Sequence, residues 1–307
     1  MNLPTSLPTL AATRERRIMA LSQPDASRTR RQLLQRSGLL SLAISPGAML
    51  LAAPPAQAEV VDLAEAIDKA GRQRMLSQRM LKAWCAQALE VRGPQPQQVQ
   101  QESMRRFGEQ LLELGDYAST PELRQTYDEM QRSWQSTRQL LGETPRPDAR
   151  LGRHLSERSS ELLSLAHRAT VQFEQLSGQP LARHINLSGR QRMLSQRLAT
   201  LYLLRAIDAA PADAERLQAL ARQDFLTGQR ELHEAARAQP QISRLLMLAD
   251  QQFLFFDAAL RQPVPGAAQR GRTGGLAPLN DVYTTSERIL EVMEEATRLF
   301  ARQGGLG

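Results

Sequence analysis

One nine-residue segment occurs twice in this chain of 307 residues without a single change. It reads Gly-Arg-Gln-Arg-Met-Leu-Ser-Gln-Arg and occupies residues 71–79 and 189–197. The same offset of 118 residues relates positions far outside the segment, such as Phe107 and Phe225. This self-similarity indicates a duplicated module of about 120 residues. Packing alone tolerates many apolar side chains at a core position, so it does not explain why three arginines, two glutamines and a serine are identical in both copies. The segment therefore predicts the functional site.

The segment before the first module has the pattern of an export signal. Residues 29–35 carry a twin-arginine pair, a weakly apolar stretch follows at 37–53, and Ala56-Gln57-Ala58 offers small residues to a signal peptidase. We expect cleavage before Glu59 and a soluble periplasmic protein; an uncleaved membrane anchor is the alternative. Met19 is a possible true start.

The charge balance changes once this leader is set aside. The whole chain has 39 basic and 32 acidic residues, whereas residues 59–307 have 32 and 30, a net charge of +2. The high isoelectric point is mostly a property of the leader and does not indicate a nucleic-acid partner.

Composition and breaker spacing predict an all-α protein. Alanine, leucine, glutamine, glutamate and arginine dominate, and proline or glycine clusters separate segments long enough for four helices in each module. Short connections favour antiparallel neighbours. The expected architecture is two tandem antiparallel four-helix bundles after a signal peptide at 1–58, with modules at 59–178 and 179–307. The sequence leaves open whether a helix continues across 175–184.

Helix starts are predicted at two places. Thr120-Pro121-Glu122 and Ser286-Glu287 both have the residue types that cap helix N-termini.

The repeated segment carries a family resemblance. Residues 67–79, Ile-Asp-Lys-Ala-Gly-Arg-Gln-Arg-Met-Leu-Ser-Gln-Arg, resemble the P-box of the periplasmic sensor domains in nitrate/nitrite sensor histidine kinases (NarX type). They are equally similar to the N-terminal domain of type IV pili methyl-accepting chemotaxis transducers (PilJ type). The second copy keeps an Ile-Asn start at residues 185–186. The resemblance implies a four-helix bundle with the box on its first helix.

The resemblance also implies a binding site. In the nitrate sensors, one arginine from each of two subunits grips the anion, helped by the preceding glycine. These positions correspond here to Arg74 and Arg192, and to Gly71 and Gly189.

Elementary chemistry supports this assignment independently. Residues 71, 74, 75 and 78 share one helix stripe, in which glycine permits a close approach. Arginine presents a planar fork of donors that suits a planar oxyanion such as nitrate or nitrite. Two facing guanidinium groups repel each other, and a bound anion would reverse that repulsion. The alternative is a purely structural role for both arginines, in a buried ion pair or an interhelix hydrogen bond.

The remaining motif arginines are secondary candidates. We expect them to be solvated or paired with glutamates of neighbouring helices, although ligand contact is the alternative. They are Arg72, Arg79, Arg190 and Arg197.

No other constellation points to chemistry. The four histidines lack metal-ligand spacing, and His167 aligns approximately with Met293 in the repeat. The single cysteine, Cys85, aligns with Leu203 and is predicted to be a core residue. No catalytic residue, metal site or cofactor is expected, and an enzyme is disfavoured.

Two functions remain. The first is a periplasmic sensory protein that binds a small anion, nitrate or nitrite, and signals to a membrane sensor or chemoreceptor. The second is a ligand-free interaction or scaffold module of the cell envelope, linked to type IV pili or chemoreceptors. If the bundles lie side by side, Arg74 and Arg192 can share one pocket. End-to-end bundles would instead require a homodimer with two sites, because a helix of about 30 residues spans about 45 Å.

Overall fold

The computed structural model describes residues 60–304, apart from residues 61, 92, 94, 143–147 and 273. The expected signal peptide and its cleavage site lie outside the described residues.

All the regular secondary structure in the described part of the chain is helical, which confirms the all-α prediction. It contains nine helices and no strand. The helices are α1 (Leu63–Ala88), α2 (Pro96–Tyr117), α3 (Pro121–Leu141), α4 (Ala149–Ser177), α5 (Pro180–Ala206), α6 (Ala214–Ala235), α7 (Pro240–Leu260), α8 (Ala267–Arg270) and α9 (Ala277–Gly304).

Local chemistry explains several of the boundaries. The side chain of Thr120 accepts a hydrogen bond from the backbone N–H of Leu123, so the predicted helix start is confirmed. Gly178 ends α4 in the left-handed conformation (φ 60°), which costs glycine little. Pro180 then begins α5, so no single helix runs from one module into the next.

The second predicted helix start is wrong. Ser286 and Glu287 lie in the middle of α9 and are 0% and 5% exposed. Buried partners on α1 hold both side chains: Nζ of Lys82 donates to the Ser286 hydroxyl at 2.8 Å and to a Glu287 carboxylate oxygen at 2.5 Å. Tertiary packing has here overridden a local capping signal.

The helices form two four-helix bundles that lie side by side. Helices α1 to α4 pack in a ring, and α5, α6, α7 and α9 form the equivalent ring. The first helices of the two rings, α1 and α5, also pack extensively against each other. Each motif helix therefore belongs to the core of its own bundle and to the contact between bundles, which explains why α1 and α5 are buried on most sides.

Matched side chains fill the two cores. Trp84 and Tyr202 occupy equivalent positions and are both fully buried, as are Phe173 and Phe300. Cys85 is also fully buried, as expected for a core residue. In the described residues, no helix has the length and apolar character needed to cross a membrane.

Candidate functional site

The two motif helices cross at their glycines. A Cβ atom built on Gly71 would lie 3.9 Å from the Cα of Gly189, and one built on Gly189 would lie 3.8 Å from the Cα of Gly71. A methyl group would make an ordinary contact with the opposing helix, but it would crowd Nη2 of the arginine three residues later, at 3.3 Å for Gly71 and 3.1 Å for Gly189. Glycine therefore leaves room for the guanidinium groups at the crossing. Both arginine side chains reach the same crossing: the Nη2 atoms of Arg74 and Arg192 lie 3.1–3.5 Å from the two Cβ positions.

The serines and glutamines of the motif make matching hydrogen bonds in the two bundles. The hydroxyls of Ser77 and Ser195 each donate to the carbonyl of the motif arginine three residues earlier, both at 2.8 Å. The amides of Gln78 and Gln196 each donate at 2.9 Å to a serine of the last helix in their own bundle, Ser159 Oγ and the Ser286 carbonyl. The sequence identity of the motif is thus matched by repeated hydrogen-bond geometry.

The surroundings of Arg192 neutralise its charge. Its Nη2 donates to the carboxylate of Asp68 at 2.7 Å, and its Nη1 donates to that of Glu294 at 2.7 Å. Burial lowers the pKa of Arg192, but these two carboxylates outweigh it and raise the pKa above its ordinary value. Burial raises the pKa of Glu294, but the neighbouring Arg192 and Arg72 outweigh it and lower that pKa to about 2.

The surroundings of Arg74 leave its charge uncompensated. Its Nη1 lies 3.4 Å from Nδ1 of His167, and its Nη2 donates to the carbonyl of Asn186 at 3.1 Å. Arg74 is only 1% exposed, and no described carboxylate lies within ion-pairing distance of it. Its Nε atom, like that of Arg192, lacks a hydrogen-bond partner in the described residues. Burial and repulsion from Arg192 and Arg190 lower the pKa of Arg74 to about 9, against a weaker opposing effect of Glu174.

Equivalent hydrogen bonds correct the alignment of the last helices. His167 contacts Arg74 through the same guanidinium atom that Glu294 contacts on Arg192. His167 therefore matches Glu294, one position beyond the Met293 that the sequence offset indicated. The corrected register of 127 residues pairs identical residues along both helices. These pairs are Ser159 with Ser286, Thr170 with Thr297, and Phe173 with Phe300.

In this register, the charge asymmetry extends beyond the crossing. Arg79 binds Glu287 through two hydrogen bonds of 3.1 and 2.5 Å. Its repeat equivalent, Arg197, faces Ser160 where Glu287 would stand, and no described carboxylate lies within ion-pairing distance of it. Burial lowers the pKa of Arg197, with only partial compensation from Asp213.

Three acidic residues on one face are thus replaced by neutral residues on the other. The pairs are Asp68 with Asn186, Glu287 with Ser160, and Glu294 with His167. Burial and the nearby Arg74 and Arg190 lower the pKa of His167 below its ordinary value, which disfavours a further cation at this position.

A pocket of about 380 Å³ opens on the face that lacks the carboxylates. Its floor is α5, its two walls are α4 and α6, and Arg74 of α1 reaches it from beneath. Arg190 lies at its edge, where Nη2 donates to the carboxylate of Asp224 at 2.6 Å. Its lining consists of Arg74, Ser160, Leu163, Ser164, His167, Arg190, Met193, Leu194, Arg197, Leu217, Leu220, Ala221 and Asp224.

The structure therefore divides the sequence-predicted residues into two groups. Arg74, Arg190 and Arg197 line the pocket, whereas Arg192 does not. Arg72 pairs with Asp68 and Glu294, and Arg79 with Glu287. Sequence reasoning missed Ser160, His167 and the α6 wall. Alignment of α4 with α9 at an offset of 127 residues gives the signal for two of them, because Ser160 and His167 then stand opposite glutamates of the other repeat.

Comparison with known families agrees with this architecture. The model for the family described as "PilJ: Type IV pili methyl-accepting chemotaxis transducer N-term" matches residues 58–164 and 175–252. The chain belongs to the PilJ family. The two matched segments begin just before the two motif helices, so this PilJ-family chain carries the sensory domain in tandem. No curated protein and no solved structure is similar enough to count as a match.

Proposed function

We propose that this PilJ-family chain is an exported sensory module that binds one small planar oxyanion. The observation that carries the proposal is Arg74, a buried guanidinium that points into an open pocket without a carboxylate partner. An isolated buried charge is unfavourable, and an anion supplied from solution would compensate it. Nitrate, nitrite and carboxylates all present the planar pair of oxygens that a guanidinium fork accepts.

In this proposal the two repeats of one chain take the place of the two subunits of a dimer. Two copies of the motif helix in one chain bring Arg74 and Arg192 together over Gly71 and Gly189. Because Asp68 and Glu294 already neutralise Arg192, we assign Arg192 a positioning role and Arg74 the ligand contact, with Arg190 and Arg197 as the secondary contacts. The proposed stoichiometry is one anion per chain. A bound anion would also bridge α4 of the first bundle and α5 of the second, which gives a means of passing the signal to a membrane partner.

Titration calorimetry with nitrate, nitrite and acetate tests the site. We expect one site per chain in the wild type and no detectable binding after Arg74→Gln, because the substitution removes the charge and the guanidinium fork while keeping a shorter polar amide. Arg183→Gln is the matched control, since Arg183 lies on α5, is exposed and pairs with Glu231 outside the pocket. Binding that survives Arg74→Gln, or is lost equally in both variants, would contradict the assignment.

The alternative function is a ligand-free interaction module. Large apolar side chains exposed on α7 favour it, notably Leu254 and Phe255 at 71% and 67% exposure. If none of the three anions binds the folded wild-type protein, this alternative becomes the better account.

We further propose a periplasmic location, which rests on the leader sequence. N-terminal sequencing of the protein from cells is expected to find mature chain starting near Glu59. Replacing Arg30 and Arg31 by lysine should retain the protein in the cytosol, because the export pathway reads that arginine pair. An intact leader on periplasmic protein would indicate an anchor instead.

A further inference from the structure

The pocket is much larger than the oxyanion it would hold. A water molecule takes about 30 Å³ in the liquid, and a four-atom oxyanion needs only a small multiple of that volume. The pocket offers about 380 Å³, a size typical of sites for small organic molecules. Nitrate bound at Arg74 would leave most of this space to water.

The walls of that extra space are apolar. Six aliphatic or thioether side chains face it, from α4, α5 and α6: Leu163, Met193, Leu194, Leu217, Leu220 and Ala221. Water beside such walls is poorly hydrogen-bonded, and an apolar ligand body that displaces it gains the free energy of burial.

Apolar side chains line the pocket from its closed end to its opening. Arg74 at the inner end is 1% exposed and Leu194 on the floor is 2% exposed, whereas Leu220 on the α6 wall is 46% exposed. The unpaired charge of Arg74 is therefore at the closed end, apolar surface extends from it towards the opening, and the Arg190–Asp224 ion pair lies at the exposed edge. An amphipathic anion would fit with its charged group inward.

We infer that the ligand is an organic carboxylate with an apolar body, of the size of hexanoate or benzoate. Its carboxylate pairs with Arg74 and lies within reach of Arg197, the two cations without resident carboxylates, while the hydrocarbon part covers Leu217 and Leu220. This inference rests on the proposed oxyanion site and specifies its ligand class. It also explains why α6, which lies outside the repeated motif, contributes a wall to the site.

A chain-length series tests the inference. In calorimetric titrations of the full mature chain with acetate, butyrate and hexanoate, we expect the affinity to rise about fourfold per methylene group, the factor that corresponds to about 0.8 kcal/mol per buried CH₂. Nitrate is expected to bind more weakly than hexanoate. 1-Hexanol, which has the same hydrocarbon chain without the charge, is expected to show no comparable binding.

Leu220→Gln is the decisive variant. Leu220 is partly exposed, so the substitution should leave the fold intact while it weakens hexanoate binding more than nitrate binding and flattens the chain-length dependence. Leu226→Gln is the matched control, because Leu226 lies on the same helix with 38% exposure but faces a different pocket.

The outcomes separate the two proposals. If nitrate binds at Arg74 and affinity does not rise with chain length, the organic-anion inference is overturned and the oxyanion site stands. If hexanol binds as tightly as hexanoate, the apolar pocket does not select an anion and the inference fails. If neither nitrate nor any carboxylate binds, both proposals fail.

Discussion

Replacing His167 by glutamate is expected to stabilise the protein and to abolish anion binding at the same time. The new carboxylate would stand where Glu294 stands in the other bundle and would neutralise Arg74. A hydrogen bond to a charged group contributes about 1.5–3 kcal/mol, so the free energy of unfolding should rise by about that amount. The resident carboxylate would also repel a ligand, and we expect the affinity to fall at least about 100-fold, equivalent to about 2.7 kcal/mol.

Urea denaturation and calorimetry on the same samples measure both effects. His154→Glu is the matched control, because it makes the same change on α4 beside a different pocket, away from Arg74. Unchanged anion affinity in His167→Glu would show that the ligand does not use Arg74.

The reciprocal change makes a further test of the same asymmetry. Asp68→Asn with Glu294→His copies the residues around Arg74 onto the surroundings of Arg192. We expect lower stability, since Arg192 loses both carboxylates, and a second binding event if the copied face opens as well. A stable double variant would mean that these carboxylates do not compensate Arg192.

Glu287→Gln is expected to be the most destabilising single substitution among the ion pairs described here. Glu287 compensates Arg79 and the fully buried Lys82, whose Nζ also lies 4.5 Å from the centre of the Tyr283 ring. Removing one partner of a buried pair costs about 3–5 kcal/mol, because the remaining charge is buried without compensation. The exposed pairs that Glu102 makes with Arg105 and Arg106 provide the control, and Glu102→Gln should change the midpoint of denaturation little.

A second substitution distinguishes lost charge compensation from lost packing. The repeat equivalent of Lys82 is Thr200, and that of Glu287 is Ser160. The other bundle therefore has neither charge of this pair. Adding Lys82→Thr to Glu287→Gln should therefore recover part of the lost stability. No recovery would indicate that Glu287 acts mainly through shape and hydrogen bonding.

The same group predicts the response to acid. Burial raises the pKa of Glu287, but Lys82 and Arg79 outweigh it and lower the pKa to about 2 in the folded protein. The unfolded value is about 4.3, so the stabilisation is complete above that pH and is lost as the pH falls towards 2. The acid-sensitive part of the unfolding free energy in this range should be smaller in Glu287→Gln than in the wild type.

The sequence alone predicted the helical architecture and the candidate residues of the site. Duplication, helix-forming composition and proline or glycine breaks specify two sets of four long helices, because these signals act locally along the chain. The invariance of the repeated motif identified Arg74 and the two glycines, since packing alone does not require those side chains. The same local logic failed at Ser286 and Glu287, where partners on α1 decide the structure.

Only the tertiary structure decided which of the two equivalent arginines faces an open pocket. The motif is identical in both copies, so it cannot distinguish Arg74 from Arg192. Part of the difference is the pair Asp68 and Asn186, which lies beside the motif in sequence. The rest comes from residues on α4 and α9 that are distant in sequence and that lie in a different repeat register because the second bundle has a longer loop before its last helix. Electrostatic compensation depends on distances of a few ångströms across helices, and such distances exist only once α1, α4, α5 and α9 have packed together. Sequence thus supplied the two cations, and folding decided that one of them has no carboxylate partner in the described part of the chain.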